Sequence, residues 1–96
     1  MNKQAFAPMP APVDCIDTPG GWHPWDDTVH TRAYTAGECS VGEIRVQIAG
    51  TQFSDGRVLR EIRCLGDLDG VTVDLSRRLA AALIAAADVI ERIEQP

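Results

Sequence analysis

From Glu43 to Ala49 polar and apolar residues take turns, with Ile44, Val46 and Ile48 set between Glu43, Arg45 and Gln47. A period of two places the three aliphatic side chains on one face of a half-buried strand. This strand is predicted near residues 43–53. A second is predicted near 57–65, where Val58, Ile62 and Cys64 share a face with Arg60 among them. Ser54-Asp55-Gly56 lies between the two and signals a hairpin. A two-residue loop would divide the apolar sets between opposite faces. A three-residue loop sets Ile48 against Ile62 and Val46 against Cys64, so the burial pattern selects it. Gly56 then takes the left-handed position of a type I turn with a G1 bulge, and Gly50 falls opposite Arg60, where it weakens the ladder. A third strand is predicted near 29–35, joined to Glu43 through the connection AGECSVG.

Beyond these strands the period changes. Residues 73–94 hold neither Gly nor Pro and are rich in alanine, which favours helix. Thr72 is the expected N-cap, and Asp74 suits the positive end of the helix dipole. Leu75, Leu79, Ala82, Leu83, Ala86, Val89, Ile90 and Ile93 form one stripe at about 100° per residue. Ile84 falls about 180° from Leu75, flanked by Ala80, Ala81 and Ala85. The middle of the helix is thus apolar all round, and such helices are normally covered on both sides.

The fold class expected is α+β: an antiparallel sheet of about three strands on one C-terminal helix. Five of the six prolines precede residue 25. They predict a disordered Pro-rich tail over 1–14, leaving one small domain over 15–96. Residues 15–28 read as an irregular segment carrying Trp22 and Trp25.

Ninety-six residues suffice for one domain, and five aromatics leave it an aliphatic, thin core. At that size a second copy or a partner often supplies missing burial. A net charge of −5 disfavours phosphate binding and hence nucleic acid. The N-terminus lacks the apolar stretch of a signal peptide, and the longest apolar run, Leu79–Ala87, is about half a membrane span. Three irregularly spaced cysteines do not form a disulfide framework. A cytoplasmic location without membrane attachment is the expectation.

VGEIRVQIAGTQFSDGRVLREI and SRRLAAALIAAADVIERI carry a resemblance to a group of small uncharacterised actinobacterial proteins. The resemblance spans about Val41 to Ile93 and rests on a β-hairpin with an Asp-Gly turn followed by an alanine-rich helix. It implies this fold and no activity.

Several side chains could carry chemistry. Cys15, His23, His30 and Cys39 make up a donor set that zinc accepts, although without the close Cys-x-x-Cys pair of zinc knuckles. Cys39 with His30 is the pairing to consider for nucleophilic catalysis, and no third orienting group accompanies it. Asp14, Asp17, Asp26 and Asp27 lack calcium-loop spacing and read as a solvated acidic face. Trp22 and Trp25 could form a binding platform, and Arg77 and Arg78 a weak anion contact. The function expected is a non-enzymatic protein-interaction or homo-oligomeric assembly module, with Ala80, Ala81, Ile84 and Ala85 as its interface and no cofactor. The alternative is a small zinc-binding structural or regulatory domain using Cys15, His23, His30 and Cys39.

Overall fold

A computed structural model describes residues 9–95. The chain forms β1 (Trp22–Pro24), β2 (His30–Val41), β3 (Ile44–Phe53) and β4 (Val58–Leu65), then α1 (Val73–Glu94). The strands build one antiparallel sheet in the order β1-β2-β3-β4, one strand more than the pattern predicted. The extra strand, β1, is three residues long and pairs Trp22 with Arg32. Among the described residues no helix is long and apolar enough to cross a membrane.

The β3–β4 hairpin has the register that shared burial requires, with Val46 opposite Cys64 and Ile48 opposite Ile62. Phe53 and Arg57 close its three-residue loop, and Gly56 adopts φ +103°, donating its N–H to the Phe53 carbonyl at 3.0 Å.

The stretch 36–41, expected as connection, is instead the second half of β2. A bulge between Thr35 and Gly37 inserts Ala36, which reverses the parity of the strand. Tyr34 faces the helix side before the bulge, whereas Cys39 and Val41 face it afterwards, opposite Val46 and Ile44. Reversal to β3 takes place at Gly42, with φ +62°.

Helix α1 covers only half of one sheet face. A side chain at Gly42 would meet Leu75 Cδ1 at 3.2 Å, and Glu94 reaches Arg60 at 3.4 Å. The helix therefore runs from the β2–β3 turn to the middle of the sheet. Val46, Ile48 and Ala86 form the buried centre, with Ile62, Leu79, Leu83 and Ile90 against them. Thr72 caps the helix as expected: its hydroxyl accepts from the Leu75 N–H at 3.1 Å. Thr72→Ala is expected to cost about 1 kcal/mol in urea unfolding, and Thr72→Ser to restore most of it.

The other half of that face is covered by residues 9–14, placed there instead of in the free tail expected over 1–14, of which 1–8 lie outside the described residues. Gln52, buried at 4% exposure, donates Nε2 to the Pro10 carbonyl at 2.8 Å, and Arg32 Nη2 donates to the Met9 carbonyl at 3.2 Å. Pro10 and Pro12 have no N–H, so this segment lies on the sheet with fewer donors to satisfy. Beyond it, Asp17 bridges Thr35 on the outer edge of β2.

On the opposite sheet face, Phe53 is covered by Trp25, edge-on at 5.8 Å, and by the Arg57 guanidinium at 4.1 Å. Leu59 stays exposed there.

Candidate functional site

The four possible zinc ligands do not converge. His23 pairs with Thr31, the neighbour of His30 in β2, so the two imidazoles leave opposite faces of the sheet. Cys39 lies nine residues farther along β2, opposite Val46. Cys15 follows the turn in which its N–H donates to the Pro12 carbonyl. Among the described residues no three His, Cys, Asp or Glu side chains cluster as metal ligands. The same separation along β2 parts Cys39 from His30 and removes that nucleophilic pair.

The tryptophans are also divided. Trp22 stacks beneath the Arg32 guanidinium at 4.6 Å on the helix side, while Trp25 packs on Phe53 on the other face. They form no joint platform. Asp26 is an exposed turn former. Its Oδ1 accepts from the Thr28 and Val29 N–H groups at 2.8 and 2.9 Å, and these bonds hold its carboxyl below the usual range.

Asp14 corrects the reading of a solvated acidic face. It sits at the seam where residues 9–14 meet the end of α1, and Arg60 grips it with two parallel bonds, Nε to Oδ2 and Nη2 to Oδ1, both 3.0 Å. Both side chains are only 9% exposed. The Tyr34 hydroxyl approaches the same carboxylate at 3.3 Å, and Glu94 contacts Arg60 at 3.4 Å. The hydrogen bonds from Arg60 lower the Asp14 pKa, and that carboxylate in turn holds Arg60 firmly as a cation. Burial, and next the Asp14 charge, push the Tyr34 phenol up to about 12. Tyr34 therefore stays protonated at neutral pH, and Asp14 is engaged as an acceptor. The cluster locks N-terminal segment, sheet and helix together. One sign of it stands in the sequence: Arg60 interrupts an inward-facing apolar set, and a buried guanidinium requires a carboxylate.

What the fold leaves open is a flank of α1 and the β2 edge beside it. Among the described residues, 36–41 pair only with β3, so this stretch presents unpaired backbone groups along its outer side. Between Ala36–Cys39 and the helix residues Ala82, Ala85 and Val89 runs an apolar groove of about 290 Å³. Ala85 is exposed at its margin, and Ala80, Ala81 and Ile84, the last 63% exposed, project from the outer side of α1. The packing stripe is itself thinly covered, since Ala86 is the one buried residue of α1. Arg77 and Arg78 are exposed too, and Arg78 lies 3.6 Å from Asp74 one turn earlier. Comparison of this chain with protein-family models, with curated proteins and with solved structures finds no match.

Proposed function

We propose that this protein is a non-enzymatic interaction module that assembles with itself through α1 and the adjoining edge of β2. The observation carrying this reading is a helix left open on two sides: Ile84, 63% exposed among alanines, on its outer side, and an apolar groove next to an unpaired strand edge along its flank. The open surface of α1 and its flank thus combines an aliphatic side chain on the outer side with a groove and a row of backbone donors and acceptors along the β2 edge. Small residues on the helix allow a second backbone to approach closely, and a two-fold pairing covers both copies at once. The partly covered stripe supports the same reading, because a domain of this size gains much from additional burial.

Wild-type protein is expected to show a concentration-dependent dimer mass in light scattering. Ile84→Glu should shift it to monomer, raising the dissociation constant at least tenfold, with an unchanged circular dichroism spectrum. Burying an isoleucine is worth about 1.5–3 kcal/mol, and a two-fold contact counts it twice. A wild type that remains monomeric at millimolar concentration refutes the reading.

A further inference from the structure

The exposed flank of α1 carries a charge order that matches its own reverse. Asp74, Arg78, Ala81, Ala85, Asp88 and Arg92 are all exposed. All six fall within about 40° of one line along the helix at 100° per residue. Read forward, the line runs acid, base, alanine, alanine, acid, base. Read backward, each acid meets a base. Asp74 and Arg92 stand nine residues either side of Leu83, Arg78 and Asp88 five, and Ala81 and Ala85 two.

We infer that a second copy of this chain docks on α1 by antiparallel helix pairing about a two-fold axis level with Leu83. This rests on the assembly reading and specifies its register. Arg78 of each copy then faces Asp88 of the other, Asp74 faces Arg92, and Ala81 packs on Ala85. The alanines at the centre bring the axes close, toward the lower end of the roughly 8–10 Å range. The outer pairs lie about 13.5 Å from the axis at 1.5 Å per residue, so they meet only if the helices cross at a shallow angle. Arg78 already lies 3.6 Å from Asp74 within its own helix as an ion pair. In the dimer it lies between two carboxylates. A two-fold axis requires a surface complementary to itself, and this charge order supplies it. An unrelated partner would place no such demand on the order. The flank also borders the groove beside β2, because Ala85 belongs to both.

The test is a charge exchange followed by sedimentation or light scattering of the full chain. Asp88→Arg alone and Arg78→Asp alone each put like charges opposite one another twice per dimer. Each is expected to weaken self-association about tenfold. An equimolar mixture of the two variants restores complementary pairs and should form a heterodimer of near wild-type affinity. The double variant Asp88→Arg with Arg78→Asp should likewise recover a homodimer. Both positions are exposed, so circular dichroism should show every variant folded. If wild type dimerises and Ile84→Glu disrupts it, but the reversals do nothing and the mixture shows no preference for the heterodimer, this register is wrong while assembly stands. If wild type never dimerises, both fall.

Discussion

Asp14→Ala is expected to lower unfolding free energy by about 3–5 kcal/mol, because it leaves the Arg60 guanidinium buried without its bidentate partner. Glu94 contacts the same guanidinium but is 46% exposed on its side chain, so it compensates in part and favours the lower end of that range. The loss should be non-additive. Once Arg60→Ala is in place, removing Asp14 should cost much less than it does alone, and a double-mutant cycle in urea unfolding measures the difference. Equal costs in both backgrounds would show that the pair contributes nothing as a pair. The pH dependence follows from the same contacts. The folded Asp14 pKa lies below its unfolded value of about 3.9, so its contribution is present above that value and disappears as pH falls through the lowered one. Tyr34 acts at the other end. Its folded pKa of about 12 exceeds the ordinary 10, so its stabilisation is complete below pH 10 and is lost as pH rises toward 12. Tyr34→Phe should remove the part of the alkaline decline between those values that this phenol causes.

Gly50→Ala is expected to be about as damaging, for a steric reason. A Cβ at Gly50 would stand 2.3 Å from Tyr34 Cε1 and 2.5 Å from Cζ. Tyr34 is opposite Gly50 in the β2–β3 ladder and only 1% exposed, with its ring laid across the glycine. The ring has nowhere to retreat, because the Asp14–Arg60 pair holds its hydroxyl end. Overpacking of a close-fitted site costs about 1–3 kcal/mol, and displacing Tyr34 also disturbs the ion pair, so a loss of at least 3 kcal/mol is expected. Tyr34→Ala should itself be destabilising, yet in its background Gly50→Ala should be close to neutral. If Gly50→Ala costs the same with and without Tyr34, the ring is not what reserves that position for glycine. The inner face here does not merely tolerate a gap at Gly50; the missing side chain makes room for an aromatic from the neighbouring strand.

These two positions also separate what the chain discloses by itself from what its folding supplies. Alternation through Ile44, Val46 and Ile48, the Asp55-Gly56 turn and the uninterrupted run after Thr72 determined the hairpin, its register and the helix with its cap. Each depends on residues close in sequence and on a single period, which is why they could be read. The α+β class follows from them. The two-fold charge order of α1 also belongs to the sequence, because helical geometry alone brings Asp74, Arg78, Asp88 and Arg92 onto one line. The second half of β2 was hidden: the bulge at Ala36 changes which residues face inward, so Gly37, Glu38, Cys39 and Ser40 show no steady period. β1 was hidden by its length and by Pro24. Only the tertiary structure could bring Asp14 to Arg60, 46 residues later, cover Gln52 with the Pro10 carbonyl, or send His23 and His30 to opposite faces. Such contacts depend on how the strands lie beside one another, and no local preference encodes that arrangement. For the same reason the composition that suggested zinc named suitable donors but had no means of placing them together, since coordination requires convergence in space.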